Sequence, residues 1–495
     1  MKILLSLAVA LLLTAGCTFG PDYARPDIDM PDAYRISTGQ AAELANTAWW
    51  SLFDDPILDR MIETALRNNK DVRLAAERVL EFAARVDISR AGLYPQLGYQ
   101  AAAGRSKSNV PGRGQSTDDN FLATLNVGWE LDVWGRVQKA TEAERARLLA
   151  AEEGRRSVIL SLVSSVATSY IRLLNLDEQL RIARKTVYSR RETLRLFQLQ
   201  FQGGVVSELE VSQVRSELEL ARTLVPQIER EIALLENSLS ILLGQNPGPI
   251  TRSRNFNKLS LPPVPAGLPS ELLERRPDIR AAEQQLVAAN ALIGVARTQY
   301  FPTISLTGLF GFVSDELSDL FDSSSDIWGY DAGLLGPIFD GGRIAGNIRA
   351  TEAAQRQAVI AYQQAVQTAF REVDDALIQN RKAREIVTAR KRQLDALRDY
   401  ARLALLRYDE GQVSYIEVLD SERRLFDAEL SYAINRGDVY IALVNVYKSM
   451  GGGWVAKAEQ TANTIDGAKE RSGEQSQSTA NQSPSAESLK NSSGN

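Results

Sequence analysis

Three charged residues, Arg407, Asp420 and Arg423, surround a predicted helical turn in the stretch RYDEGQVSYIEVLDSERRLF. An aspartate between two arginines can form charge-assisted hydrogen bonds, and carboxylates that ring a pore select cations. An earlier stretch, QFQGGVVSELEVSQVRSELE, has the same outline 207 positions before, measured between the turn glycines (411 − 204). Its three equivalent residues are the uncharged Gln200, Gln213 and Ser216. The charges are therefore predicted to serve function and not the fold of the hairpin.

Residue types that commonly carry catalysis are scarce in this sequence. It has no histidine and one cysteine, so His/Cys metal sites and Ser/His/Asp triads cannot be built. Phosphate-binding and nucleophile-elbow motifs are also absent. The 62 acidic residues are balanced by 57 basic ones, and the formal net charge of −5 gives no reason to expect a nucleic-acid partner. We expect neither an enzyme nor a bound cofactor or metal.

The single cysteine, Cys17, follows a segment typical of a secretory signal. The apolar run Ile3–Leu13 is too short to span a bilayer, and small residues precede the cysteine. This arrangement resembles a bacterial lipobox, in which the thiol is acylated, although Thr14 stands where leucine is usual. We expect residues 1–16 to be removed and Cys17 to carry a covalent lipid. Ordinary cleavage without modification is the alternative.

The 207-residue offset extends over most of the chain and indicates an internal duplication. The predicted repeats cover residues 54–244 and 270–451, separated by a proline-rich linker, 245–269. Residues 452–495 are rich in Ser, Asn, Gln and Glu, which predicts a largely disordered tail. The offset also matches these dipeptides: Tyr94-Pro95 with Phe301-Pro302, and Gly135-Arg136 with Gly342-Arg343.

Each repeat contains one predicted β-hairpin, at 96–133 and 303–339, with a polar, flexible loop expected at 106–119. Strict alternation predicts strands with one apolar and one polar face, Thr124 lying on the polar face. The apolar positions of the first hairpin include Phe121, Leu125 and Trp129, and those of the second include Ile304, Leu306 and Phe310.

Long helices are predicted over 136–243 and 343–450. Arg136 to Gly203 contains no proline and only one glycine, so this helix could reach about 100 Å at ~1.5 Å per residue. Between Val214 and Leu242, apolar residues step by four and three, as in a heptad seam. Pro226 lies within this seam without changing its phase, which predicts one kinked helix.

Four strands with a single apolar face cannot satisfy a membrane alone, because their edges would remain unpaired in lipid. Several chains must then share one barrel, with polar faces lining a water-filled lumen. The six apolar residues named above would face lipid. A small soluble sheet packed on helices is the alternative.

Several motifs together resemble the outer membrane factor family, the TolC-like and OprM-like lipoproteins of tripartite efflux pumps. They are CTFGPDYARP, WWSLFDDPILDRMIETALRNNKDVRLAAERV, AGLYPQLG, ELDVWGR, LLERRPDIRAAEQQL, YFPTISLTG and YKSMGGGW. The resemblance covers Cys17 to Trp454. Each motif alone is weakly specific, but their combination is characteristic.

This resemblance implies a membrane α+β fold: a homotrimer with a twelve-strand barrel, four strands from each chain, continuous with an α-helical coiled-coil barrel. Residues 17–53, the linker 245–269 and the C-terminal segment would form an equatorial belt. The protein would be lipid-anchored in the bacterial outer membrane and extend into the periplasm. Its implied partners are outer-membrane lipid, a periplasmic adaptor and an inner-membrane resistance-nodulation-division transporter.

The resemblance also places a periplasmic gate just after the second helical turn, at Ile416 and Asp420. Arg407 and Arg423 are positioned to bond Asp420 within or between chains and so hold a closed state. Ordinary solvated charges on a helix face are the alternative. The expected function is passive export of small molecules. A duct for type I protein secretion and a coiled-coil lipoprotein tethering envelope layers are the other hypotheses.

Overall fold

The computed structural model describes residues 19–28, 34–35, 48–110, 114–253, 256, 259–264 and 272–451. The signal segment, Cys17 and the tail 452–495 lie outside the described residues, so the predictions about them stay predictions. Within the described residues, both repeats contain a helix, two strands and two long helices in that order.

The first repeat consists of α1 (Pro56–Asn68), α2 (Lys70–Ala91), β1 (Gln96–Val110), β2 (Gly114–Leu131), α3 (Arg136–Gln202) and α4 (Glu208–Leu242). The second begins with a four-residue helical segment, Leu272–Arg275, and continues with α5 (Pro277–Thr298), β3 (Thr303–Ser314), β4 (Asp326–Leu335), α6 (Arg343–Asp409) and α7 (Tyr415–Ser449). Helices α3 and α6 both have 67 residues, and α4 and α7 both have 35. The duplication in the sequence is therefore also present in the structure.

An aspartate just before each of the long helices that follow the β-hairpins caps the start of that helix. The Asp132 carboxylate accepts hydrogen bonds from the backbone amides of Val137 and Gln138, at 3.0 and 2.8 Å. The Asp340 carboxylate accepts from Gly342 and Ile344, at 2.9 and 2.8 Å. These carboxylates satisfy amides that have no partner in the first helical turn, and they complement its positive end.

The sheet has the order β1-β2-β3-β4, and every neighbouring pair is antiparallel. Tyr99 lies opposite Leu125, Leu125 opposite Phe310, and Phe310 opposite Trp328. Since directly opposite residues share a face, this row crosses all four strands on one side of the sheet. The predicted apolar face is therefore continuous.

The first hairpin is longer than the sequence pattern indicates. Most of the loop predicted at 106–119 belongs to strands, because β1 continues to Val110 and β2 begins at Gly114. Arg105 and Asp119 face each other across these strands with an Nε–Oδ1 distance of 2.5 Å. Backbone ladder hydrogen bonds do not depend on apolar side chains, so a polar segment can remain paired.

The chain divides into two compact units that do not coincide with the sequence repeats, since each unit takes segments from both. The unit containing Leu74–Arg155 and Pro277–Ala369 holds the sheet. An aromatic cluster packs beside its strand ends, with the rings of Phe19 and Trp134 centred 4.4 and 4.8 Å from that of Phe301.

The other unit contains Arg156–Arg276 and the chain from Phe370 onward. Its core includes Trp49, whose ring stacks on Tyr447 at 5.3 Å, and Tyr170, whose hydroxyl donates to Asp55 at 2.7 Å. Helix α3 includes an 18-residue window apolar enough to cross a bilayer, but 61% of that window is buried within the chain. This apolar window is therefore explained by the core.

Segments outside the repeats are held against helices by ion pairs. Arg252, in the described part of the linker, contacts Asp177 and Glu236, each at 2.5 Å. Arg25 donates two hydrogen bonds to Glu283, at 2.6 and 2.7 Å. The described residues of the linker form no α-helix or strand. Helix α4 is continuous through Pro226, as predicted.

Candidate functional site: the paired helical hairpins

The two helical turns have the same backbone. Each contains a glycine with positive φ, +73° in the first turn and +70° in the second. The amide of Val205 donates to the carbonyl of Gln200 at 2.8 Å, and that of Gln412 donates to Arg407, also at 2.8 Å. These bonds close the preceding helix in the manner of a Schellman motif. The charged residues do not alter the path of the chain.

The helix starts after the two turns differ. Ser207 and Glu210 form a capping box: Glu210 Oε2 accepts from the Ser207 amide at 2.7 Å, and Ser207 Oγ accepts from the Glu210 amide at 3.4 Å. The equivalent Ser414 makes no side-chain cap. The carboxylate of Glu417, equivalent to Glu210, instead lies 3.8 Å from the guanidinium of Arg407.

The predicted bond between Arg407 and Asp420 is therefore not made within the chain. Arg407 lies in the last turn of α6 and faces the first turn of α7, where Glu417 lies. Asp420 is nearly one turn further along α7. Arg407 therefore pairs with the nearer carboxylate, that of Glu417.

Asp420 has two cationic neighbours on its own helix. Its carboxylate lies 3.0 Å from Arg423, as predicted, and 2.8 Å from Arg424. These residues are three and four positions further along, so their side chains lie on the same helix face as Asp420. Arg424 was missed, although its spacing from Asp420 was visible in the sequence. In the first repeat, the residue equivalent to Arg424 is Glu217.

The equivalent positions of the two repeats line one groove. Asp420 and Arg423 lie on α7, and their uncharged counterparts Gln213 and Ser216 lie on α4. Ile416 also lines this groove and is 59% exposed. The equivalent residue of the first repeat, Leu209, is also apolar and is 67% exposed, so an exposed apolar side chain does not distinguish the two repeats. What distinguishes the second repeat is the charge.

An apolar cluster supports the groove. The rings of Phe197 and Tyr415 are centred 4.2 Å apart, and both side chains are buried together with Val211, Val214 and Val418. These residues come from α3, α4 and α7. The cluster therefore joins the two hairpins.

A buried arginine lies near the groove and was not identified from the sequence. Arg190 of α3 is 5% exposed, donates to the backbone carbonyl of Glu217 at 2.6 Å, and lies 3.1 Å from that residue's carboxylate. Its guanidinium carbon is 5.3 Å from the centre of the Phe426 ring. Burial raises the pKa of the neighbouring Glu422 carboxyl, Arg190 opposes this rise and Glu217 adds to it.

The predicted lipid-facing residues share one face of the sheet. Leu125 lies opposite Phe310 and Trp129 opposite Leu306; Leu125 and Phe310 are 51% and 53% exposed in the single chain. Phe121 and Ile304 belong to the same face by register, since they lie opposite Ser314 and Leu131. This arrangement leaves a continuous apolar surface without cover in one chain.

Thr124 lies on the polar face but does not offer an open side chain. It is 5% exposed, because Gly311 of β3 packs against it so closely that a Cβ there would lie 2.6 Å from its Cα. Thr307, also on the polar face, is exposed. Thr307 is therefore a better position than Thr124 at which to test the influence of a polar-face side chain on the lumen.

A four-stranded sheet with an uncovered apolar face, followed at once by helices of 67 residues, defines a subunit of a shared membrane barrel with a helical extension. The sequence profile of the family described as outer membrane efflux protein matches residues 61–245 and again 268–452. Both ends of the second match follow the first by the repeat offset, 207 residues (268 − 61 and 452 − 245). The chain belongs to this family.

Individual relatives support the same assignment. The cation efflux system protein CusC of Escherichia coli O6:H1 is 37% identical over 91% of this chain and 98% of its own length. The toluene efflux pump outer membrane protein TtgC of Pseudomonas putida is 36% identical over 93% of this chain and 97% of its own. The crystal structure of the open state of the Neisseria gonorrhoeae MtrE outer membrane channel is 30% identical and superposes with a TM-score of 0.81, covering 88% of this chain and 99% of that one.

These comparisons confirm the predicted fold class and function. The chain is an outer-membrane efflux channel protein with four strands and duplicated long helices. The alternative of a small soluble sheet packed on helices is wrong.

Proposed function

We propose that three copies of this chain form the exit duct of a tripartite efflux pump and passively conduct small molecules from the periplasmic pump assembly to the exterior. The observation that carries this proposal is the sheet itself. Among the described strands, β1 pairs with β2 only and β4 with β3 only. In lipid these outer edges need partners, and strands of neighbouring copies supply them in a closed twelve-strand barrel.

The duct requires partners because it has no energy source of its own. A periplasmic adaptor and an inner-membrane transporter of the resistance-nodulation-division type would load it. CusC is named for cations and TtgC for toluene, although both have nearly the same identity to this chain. This favours cargo selection by the transporter and not by the duct. Their names also favour small-molecule efflux over type I protein secretion.

The groove between the hairpins is proposed to close the duct at its periplasmic end. In a trimer, Asp420 occurs three times around the axis, and a ring of three carboxylates favours cations. Arg423 and Arg424 partly neutralise each carboxylate, while Ile416 narrows the passage with an apolar side chain. Arg407 restrains the second hairpin through Glu417. Adaptor binding would release these contacts.

Cys17 is proposed to carry the covalent lipid that anchors the N-terminus. Mass spectrometry of the mature protein should show an acylated N-terminal cysteine, and Cys17→Ser should abolish this modification and leave precursor or mis-sorted protein. An unmodified, normally processed N-terminus in the wild type would refute the proposal. The barrel should still insert in that case, because the strands provide the main contact with lipid.

The oligomeric duct is tested with purified protein in mild detergent and in planar bilayers. We expect the mass of a trimer and a stable ionic conductance. A monomer with full channel activity would contradict the shared barrel, and a trimer without conductance would favour a structural tether.

A matched pair of charged variants tests the two faces of the sheet. Leu125→Lys should destabilise the inserted trimer by about 2–4 kcal/mol if the residue lies near the bilayer midplane. Thr307→Lys, on the opposite face, should leave trimers intact and shift ion selectivity towards anions. Trimer yield and reversal potential distinguish the two results, and equal losses of trimer would show that the faces are misassigned.

A further inference from the structure

We propose that helix α7, which carries Asp420, contains a hinge at Ala433–Gly437 and that Asn175 of α3 clamps this hinge. The inference rests on the proposed gating function, because it concerns how the gate-bearing half of α7 moves. It is carried by a separate set of contacts, 13 or more residues from Asp420 along the helix.

Asn175 contacts the backbone of another helix. The side chain is 6% exposed, its Nδ2 donates to the carbonyl of Ala433 at 2.5 Å, and its Oδ1 accepts from Gln179 Nε2 at 2.7 Å. A carbonyl inside an α-helix is the regular acceptor for the amide four residues later, here that of Gly437. A second donor competes for this carbonyl, and a side chain inserted at the helical ladder is a recognised cause of bending.

Gly437 makes room for the clamp. A Cβ at this position would lie 2.8 Å from Asn175 Nδ2 and 2.9 Å from its Cγ, so a larger residue would displace the Asn175 side chain. Glycine inside a helix is less favourable than alanine. The close approach of Asn175 accounts for its presence in the middle of a 35-residue helix.

The duplication points to the same position independently. Ala433 is equivalent to Pro226 of α4 (433 − 226 = 207), and proline lacks the amide that an unbent helix requires. The residue equivalent to Asn175 is Lys382, which is exposed and pairs with Glu385 at 2.6 Å. Both repeats therefore carry a feature that affects the helical hydrogen-bond ladder at this position: the missing amide of Pro226 in α4, and the second donor to the Ala433 carbonyl in α7. A proline kink is permanent, whereas a hydrogen-bonded clamp can be released.

The two halves of α7 are packed differently. Beyond Gly437, Leu443, Val444 and Tyr447 belong to the main core of their unit, which fixes that half. On the other side lies the half with Asp420, supported by smaller apolar clusters. A groove beside the hinge leaves space for movement; it is lined by Arg172, Gln179, Glu231, Leu234, Ser238 and Asp438. Release of the clamp would let the Asp420 half swing while the core half stays in place.

The test is the conductance of purified trimers in planar bilayers. Asn175→Ala removes the hydrogen bond to the Ala433 carbonyl in every subunit, together with the supporting bond from Gln179, and should raise the ratio of open to closed subunits about fivefold. Gln179→Ala removes only the hydrogen bond that orients Asn175 and should give a smaller rise in conductance. This variant keeps the test informative if Asn175→Ala fails to fold. Lys382→Ala, the equivalent position in the second repeat, should match the wild type.

Gly437→Ala changes the same contact from the other helix, by adding a methyl group instead of removing a side chain. Alone it should raise conductance by displacing the Asn175 side chain from the Ala433 carbonyl. Combined with Asn175→Ala its effect should shrink, because the added methyl then occupies the vacated space. Additive effects of the two substitutions would show that these side chains do not act on each other and would overturn the clamp.

Asp420→Ala in the same assay separates this inference from the proposed gate. Wild-type conductance of folded Asn175→Ala and Gln179→Ala trimers, with raised conductance of Asp420→Ala, would overturn the hinge and leave the gate intact. Raised conductance of the Asn175 variant with an unchanged Asp420 variant would support the hinge and place the constriction elsewhere. No conductance in any trimer would overturn the channel and the hinge together.

Discussion

The two helical hairpins have the same backbone, but the glutamates at equivalent positions make different contacts. In the first, Glu210 completes a capping box with Ser207. In the second, the equivalent Glu417 turns towards Arg407, and Ser414 is left without a side-chain cap. A capping residue stabilises a helix start by about 1 kcal/mol, whereas an exposed ion pair contributes little. The start of α7 is therefore expected to be less stable than the start of α4, which fits the proposed gate.

The repeats also exchange charges at equivalent positions. Arg215 and Glu217 of α4 correspond to Glu422 and Arg424 of α7, so both signs are reversed. Arg424 pairs with Asp420, while Glu217 and Glu422 lie beside the buried Arg190. The shared backbone thus carries charges of opposite sign at these two pairs of equivalent positions. Substitutions matched between the repeats can show which of these differences matter for gating.

The largest effect is expected at Asp420. Asp420→Ala leaves Arg423 and Arg424 without their carboxylate and removes the proposed ring of negative charge, so it should raise single-channel conductance of the isolated trimer and weaken cation preference. Asp420→Ala with Arg407→Ala should raise conductance further, because the Glu417 restraint is lost too. Gln213→Ala, at the equivalent position, should change little. Equal effects at both positions, or none, would remove this hairpin as the gate.

The helix caps should respond next. Ser207→Ala should lower the stability of the start of α4 by about 1 kcal/mol, because it breaks a capping box. Ser414→Ala should change the start of α7 far less, since that serine makes no side-chain cap. Hydrogen exchange of the amides following each turn measures the difference. A similar loss of protection in both variants would remove the proposed inequality of the hairpins.

The buried glutamate predicts a dependence on pH. Burial raises the Glu422 pKa above its ordinary value of 4.5, with Arg190 of α3, Glu217 of α4 and Tyr415 of α7 as its charged or titratable neighbours. The stability due to the protonated form is fully present below pH 4.5 and is lost as pH rises through the folded pKa. Hairpin protection against hydrogen exchange should fall over this range. Glu422→Gln should remove that part of the fall, and Arg215→Gln, at the equivalent position, should retain it.

The smallest effect is expected for Arg407→Gln, which restores the first-repeat residue. Glu417 would be released and could form the capping box with Ser414 that Glu210 forms with Ser207. Because an exposed pair is exchanged for a cap, the start of α7 should gain about 0.5 kcal/mol or less. Hydrogen exchange should show slightly greater protection there, with α4 unchanged. Lower protection in α7 would show that the Arg407–Glu417 pair is the stronger contact.

Features that depend on neighbouring residues could be read from the sequence alone. Alternation placed Leu125 and Trp129 on one strand face, because successive side chains of a strand point to opposite sides. The absence of helix-breaking residues indicated the long helices, and the 207-residue offset indicated their duplication. The length of the first hairpin was underestimated, because a paired strand needs backbone hydrogen bonds and not an apolar pattern.

The contacts of the candidate gate were decided only by the tertiary structure. Arg407 pairs with Glu417 because the end of one helix faces the first turn of the next, a distance that residue spacing does not supply. Arg190 is buried and Thr124 is covered because other segments pack on them. Asn175 reaches Ala433 across 258 positions of sequence. Local periodicity determines which face a side chain occupies, whereas the crossing of helices and the approach of strands determine what it touches.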